Sequence, residues 1–114
     1  IIHISTISAL TESTRTPPYG AIKAAVNHYT VTQAKSLAPK GIRVNAIAPG
    51  LVDTRLAAAL VGSKSISAQF FSRTAEKRPA EPKEVAGAAV FLCSDEAQYI
   101  TGHTLNVDSG YAIS

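Results

Sequence analysis

The first seven residues, "IIHISTI", are short, β-branched and mostly apolar, the pattern of a buried strand in a parallel sheet. Polar residues follow from Ser8 to Thr16 and predict a connection. Pro17 and Pro18 stop any strand and suit the first turn of a helix, where proline's fixed φ and missing N–H do no harm. From Tyr19 to about Ala38 the residues predict a helix with Ile22, Ala25, Val26, Tyr29 and Leu37 as its apolar positions, closed by Pro39 and Gly41. "IRVNAIA", Ile42 to Ala48, predicts a second buried strand ended by Pro49 and Gly50.

The stretch from Leu51 to about Pro79 mixes an Ala/Leu piece, a Gly/Ser/Lys break and "AQFFSR", and is too long for a plain connection. In a compact domain such a segment reads as a lid or binding loop, and Leu56, Leu60, Phe70 and Phe71 make it partly apolar. Pro82 opens a third helix, expected to carry Val85, Ala89, Val90 and Leu92 inward and to stop near Asp95; "HTLNVD", His103 to Asp108, is the last strand. Strands alternate with helices, and the crossovers are long enough for parallel pairing. The expected architecture is therefore a layered α/β fold with right-handed connections.

Composition narrows the class. Of 114 residues, 46% are hydrophobic and 17% charged, which fits a globular domain or part of one. No apolar run reaches the ~18 residues of a membrane helix, and the start has no signal-peptide order, so the expectation is a cytoplasmic protein without membrane attachment. Net charge is +3, yet the eleven Lys and Arg are scattered singly and not interleaved with aromatics, which argues against nucleic acid. The single cysteine, Cys93, lies in the run "AAVFLC" and reads as a buried small hydrophobe; His3, His28 and His103 are too dispersed to hold a metal. There is no methionine, and the chain starts directly in a strand. Both features predict the C-terminal part of something longer.

The chemistry gathers at "PPYGAIKAAV", where Tyr19 and Lys23 stand four residues apart. On a helix such a pair shares one face, with Cβ atoms about 5–6 Å apart. A phenol is a weak acid at neutral pH, and an ammonium one turn away favours its phenolate by charge, so the pair suits proton exchange with a carbonyl or alcohol oxygen. A solvated helix face would show the same spacing, and Tyr-x-x-x-Lys alone is a weak signal.

Its company is more specific. "HIST", "YGAIK", "GIRVNAIAPG", "VDT" and "ITGHTLNVDSG" follow one another in the order and at the separations of a classical short-chain dehydrogenase/reductase, which this chain resembles over essentially its whole length. The resemblance implies residues 1–114 of a partial NAD(P)-binding domain, the C-terminal half of a Rossmann-type doubly wound parallel sheet with three layers when intact. It implies NAD or NADP as cofactor, a small-molecule carbonyl or alcohol as substrate, and a homodimer or homotetramer at full length. Tyr19 resembles the family's catalytic acid/base, and Lys23 the lysine that assists it and holds the nicotinamide ribose.

The family's substrate-orienting serine lies thirteen residues before the tyrosine, where this chain has Thr6, with Ser5 as a rival that strand alternation turns to the opposite face. Threonine keeps the hydroxyl and stiffens χ1. Pro49 and Gly50 end a strand where open parallel sheets bind ligands, and the Val52 backbone and Thr54 hydroxyl resemble the groups that hold the nicotinamide carboxamide. Asn45 reads as structural, bridging backbone near the site. Ser109 in "VDSG" stands where glycine is common in the family. Glycine-rich phosphate turn, NAD/NADP-sorting residue and relay asparagine are absent, as expected of a C-terminal half. A non-catalytic module for binding or oligomerisation is the alternative reading.

Overall fold

The computed structural model describes all residues from Ile1 to Ser114. Three parallel strands, β1 (Ile2–Ile4), β2 (Asn45–Pro49) and β3 (Thr104–Val107), pair in the order β1-β2-β3. Register runs Ile4 to Ile47 across the first pair and Ile47 to Leu105 across the second. Only β2 has a neighbour on both sides, and Val44 to Ala48 are accordingly buried. Helix α1 (Pro17–Leu37) links β1 to β2; α2 (Ala58–Gly62), α3 (Lys64–Ser72) and α4 (Pro82–Cys93) lie between β2 and β3.

The first strand is shorter than its apolar run. Ser5 still donates its N–H to Ile47 C=O at 2.8 Å, but the chain then turns into a 3-10 turn, Ile7–Ala9, with Thr6 as its cap. The second strand likewise begins later than Ile42. Gly41, at φ 71°, ends the helical chain in the left-handed region, and Val44 N–H bonds the Thr101 hydroxyl rather than a strand. Arg43 serves the other helix. Its guanidinium donates to the C=O groups of Leu92 (2.7 Å) and Ser94 (3.2 Å), satisfying orphan carbonyls at the end of α4, and to Ile100 C=O (3.3 Å) in the connection to β3.

Helix α1 is built differently from the predicted apolar face. Gly20, Thr30 and Ala34 are its buried positions, while Ile22 and Tyr29 are exposed. Small residues let the helix sit close to the sheet, and apolar spacing could not announce a face made of glycine, threonine and alanine. The Thr30 hydroxyl gives its single proton to Val26 C=O at 2.8 Å, so the His3 Nδ1 2.9 Å away is the donor to it. On α4, Leu92 is buried as expected, but Val90 is 70% exposed and Cys93 is exposed, correcting both expectations. Nothing in this chain covers the outer side of that helix.

His3 faces α1, bonded to Thr30 and stacked on Tyr29. Its neighbour Ile2 points to the other face, where it lines a small cavity with Leu92 and Cys93 of α4. The two long helices therefore cover opposite faces and make three layers. With parallel strands taken in spatial order, helices on opposite faces give crossovers of opposite hand. The expectation of right-handed connections throughout is thus corrected. The second crossover runs from Gly50 to His103, and this length relaxes the coupling between strand twist and a compact helical return that sets the usual hand.

Candidate active site

The residues proposed from the sequence fall into two groups: Tyr19, Lys23 and Thr6 near the carboxyl end of β1, and Pro49, Gly50, Val52 and Thr54 at and beyond the carboxyl end of β2. Tyr19 opens the first full turn of α1 and is 46% exposed. Lys23, one turn on, places Nζ 5.9 Å from the Tyr19 ring centroid and donates to Ile4 C=O at 2.7 Å. That bond fixes the ammonium between the phenol and the end of β1, with protons left for another acceptor. Thr6 and Pro49 each lie two residues beyond the Ile4–Ile47 pair, so they stand at the same end of adjacent strands.

Thr6 and Ser5 divide as alternation predicts. Ser5 is buried, and its hydroxyl donates to Lys23 C=O at 3.4 Å, tying β1 to the backbone of α1. The Thr6 hydroxyl accepts from Ser8 N–H at 3.3 Å, and its own proton has no acceptor within the chain. Of the two, Thr6 alone keeps a donor for a ligand.

Gly20 belongs to the site and was not singled out by sequence reasoning. A Cβ there would come within 2.7 Å of the Ser8 carbonyl oxygen and 2.9 Å of Ser13 Cβ, so the missing side chain lets the connection after β1 pack directly behind Tyr19. The signal was available: a glycine inside a helix costs about 0.5–1 kcal/mol relative to alanine and calls for a packing reason.

Beyond Gly50 the chain leaves the sheet as a lid. Its base is closed by Ala80, which donates to Leu51 C=O at 2.9 Å and accepts from Asp53 N–H at 2.8 Å. In this parallel bridge the flanking residues make the bonds, and the N–H and C=O of Val52 itself have no partner in the chain. The Thr54 hydroxyl oxygen accepts from Ala57 N–H at 3.2 Å and retains a free proton. An unpaired amide edge beside a hydroxyl donor matches the two-sided hydrogen bonding of a carboxamide, so this donor set fits a nicotinamide. A cavity of about 170 Å³ lies under the lid between Gly50, Phe70, Thr74 and Asp108, but Tyr19 does not line it. The phenol opens to solvent instead.

Two positions change their meaning. Asn45 bridges backbone as expected, donating to Ile100 C=O at 2.9 Å and accepting from His103 N–H at 3.0 Å, but at the amino end of β2, away from the site. Ser109, unexplained by sequence, has φ 52°, the left-handed region that favours glycine. Its hydroxyl accepts from Glu76 N–H at 2.8 Å while its C=O accepts from Ala75 N–H at 2.8 Å. Glycine could supply only the second bond.

An ion cluster follows at the lid's exit. Arg78 grips both oxygens of Glu84 (2.7 and 2.8 Å) and one of Glu76 (2.8 Å), while Glu84 also accepts from Glu81 N–H at 2.7 Å in a capping box that starts α4. The Arg78 guanidinium first, and the Glu81 amide second, hold the Glu84 carboxyl at about 2. No group of His, Cys, Asp and Glu is placed to hold a metal, and no helix is long and apolar enough to cross a membrane.

Three parallel strands thus carry the Tyr19–Lys23 pair near the carboxyl end of β1, and the unpaired Val52 backbone follows the carboxyl end of β2. The chain belongs to the short-chain dehydrogenase/reductase family: the family model described as enoyl-(acyl carrier protein) reductase matches residues 1–112. It is 43% identical over all 114 residues to the uncharacterised oxidoreductase YhdF of Bacillus subtilis (strain 168), of which it spans 39%. Among solved structures, one from Agrobacterium tumefaciens with bound NADP superposes with TM-score 0.94 at 36% identity, covering 99% of this chain and 46% of that one. A 4-hydroxyisoleucine dehydrogenase complexed with NADH also gives TM-score 0.94, at 27% identity, covering 100% of this chain and 47% of that one. The chain thus spans less than half the length of each of these relatives.

Proposed function

We propose that the chain supplies the proton-transfer and nicotinamide-holding part of an NAD(P)-dependent oxidoreductase that interconverts a small-molecule carbonyl and its alcohol. The observation that carries this reading is the Lys23 ammonium, fixed by Ile4 C=O at 2.7 Å and standing 5.9 Å from the Tyr19 ring. A merely solvated lysine would not be anchored to the end of the neighbouring strand. The relatives with bound NADH and NADP support both forms of the cofactor as candidates.

In this reading Tyr19 gives its proton to the carbonyl oxygen or takes one from the alcohol, and Lys23 stabilises the phenolate that forms. The Thr6 hydroxyl, with its free proton, orients the same oxygen. The backbone of Val52 and the hydroxyl of Thr54 hold the carboxamide, Lys23 holds the ribose hydroxyls, and Pro49 and Gly50 shape the floor beneath them. When bound, the nicotinamide supplies or accepts the hydride. Ile22 and Tyr29, exposed along α1, offer apolar area for a homodimer or homotetramer.

The test joins the chain to the nucleotide-binding half of a relative and follows nicotinamide absorbance with a panel of ketones and aldehydes. Tyr19→Phe is expected to lower turnover by at least about 10²-fold, with NADPH or NADH affinity, read by fluorescence, within about twofold of the starting protein. A Tyr19→Phe protein that keeps most of its activity refutes the assignment. Thr6→Ser is expected to be tolerated, and Thr6→Val to lose about 10²-fold, the usual effect of removing a transition-state hydrogen bond. An inactive but stably assembled parent protein would instead favour the binding-module reading.

A further inference from the structure

Within the lid, α2 and α3 are held very differently. Helix α2 touches little besides α3, and Leu56 before it is 96% exposed. Helix α3 is tied down along one face. Gln69 in its last turn and Arg73 at its C-terminal cap both reach the connection between β1 and α1: Arg15 donates to the Gln69 side-chain oxygen at 2.8 Å, and Arg73 donates to Glu12 at 2.5 Å. Arg73 also bonds the Tyr111 hydroxyl (3.2 Å), the Ser114 hydroxyl (3.1 Å) and Ser114 C=O (3.4 Å), with its guanidinium 4.2 Å from the Tyr111 ring centroid. Phe70 stacks on that ring at 4.5 Å. A single exposed ion pair contributes little. Here one guanidinium joins three segments distant in sequence, and an aromatic stack backs it.

The segments it joins border the candidate site. The Glu12–Arg15 connection runs directly into the helix that carries Tyr19 and packs behind Gly20. Phe70 lies within reach of a Cβ at Gly50, at 3.4 Å, so α3 covers the carboxyl end of β2. We infer that Arg73 is a positioning residue that latches α3 over the carboxyl end of β2, above the cavity that Gly50 and Phe70 line, so that it governs capture of the substrate rather than proton transfer. The kinetic part of this inference rests on the function proposed above.

Two measurements test it separately. The first is hydrogen–deuterium exchange on the full chain joined to a relative's nucleotide-binding half. Arg73→Ala is expected to speed exchange in residues 64–72 by about tenfold, with β2 unchanged. Arg73→Lys, which keeps the charge toward Glu12 but cannot span Tyr111 and Ser114 together, is expected to lie between. Equal exchange in 64–72 with and without Arg73, or faster exchange spreading into β2, overturns the latch, the latter by making Arg73 a general stabilising residue.

The second measurement is kinetic, with cyclohexanone and NADPH as probes: Arg73→Ala is expected to raise KM for the ketone about tenfold and to leave kcat within about twofold. A fall in kcat at constant KM overturns the inference. If the parent protein turns over no carbonyl compound, the proposed function fails and the exchange experiment alone decides the latch.

Discussion

The lid begins two residues after β2 ends, yet the two are held by opposite means. In β2 the backbone is paired on both sides, and Ile47 is fully buried between two helix layers. Its position results from many contacts that form or fail together. The lid buries little and is held by separate local clusters: the Ala80 pairing at its base, Ser109 at its exit, and Arg73 with the Phe70–Tyr111 stack between them. The sheet can therefore present Pro49, Gly50 and Val52 at a fixed place. The Arg73 and Ser109 contacts of the lid can be loosened without disturbing them.

The largest effect expected from this contrast is in the sheet. Ile47→Ala removes a fully buried branched side chain from the central strand and should cost about 2–5 kcal/mol of stability, read as a lower urea midpoint. Exchange should rise in β1, β2, β3 and the lid together. If only β2 loosened, the cooperativity attributed to the sheet would be wrong.

A smaller effect, confined to the lid, is expected at Ser109. Ser109→Ala keeps the left-handed backbone requirement and loses the hydroxyl that accepts from Glu76 N–H, so it should cost about 0.5–1.5 kcal/mol locally. Ser109→Gly loses the same bond but relieves roughly 1–2 kcal/mol of steric cost, so the urea midpoint should hardly move. In both variants Glu76 N–H should exchange faster, while Ala75 N–H, bonded to the Ser109 carbonyl, keeps its protection. Equal midpoints for the alanine and glycine variants would show that φ 52° carries no strain worth relieving.

The same contrast separates what was legible in the sequence from what was not. Tyr19 with Lys23 was legible because a helix brings residues four apart together whatever surrounds it. The strands were legible as apolar runs, although their ends were not: Gly41, Thr101 and the turn after Ser5 reassign the backbone bonds there. The buried face of α1 was misread because Gly20, Thr30 and Ala34 pack by being small or internally bonded, which hydrophobic spacing does not register. The roles of Arg73 and Ser109 and the opposite hands of the two crossovers could not be read, although Ser109 stood out as a departure from the family's glycine. Each depends on partners 33 to 61 residues away, brought near only by the finished sheet.

The smallest expected effect lies at the lid's exit and appears only in acid. The Arg78 guanidinium and the Glu81 amide hold the Glu84 carboxyl at about 2, against an ordinary value of 4.5. A carboxyl depressed on folding contributes stability that is fully present above its unfolded value and is lost as pH falls through its folded one. The window is therefore from 4.5 down to about 2. Across it the capping box should weaken and the first turn of α4 fray, with β2 unaffected. The check is the carboxyl carbon shift of Glu84 by NMR, expected to titrate with a midpoint at about 2. In Arg78→Ala the midpoint should rise toward 4.5 without reaching it, because the Glu81 N–H remains as a donor. A midpoint already at the ordinary value in the unsubstituted protein would mean that Arg78 is solvated rather than paired. The lid's exit would then be held by Ser109 and the Ala80 pairing, without the ion cluster.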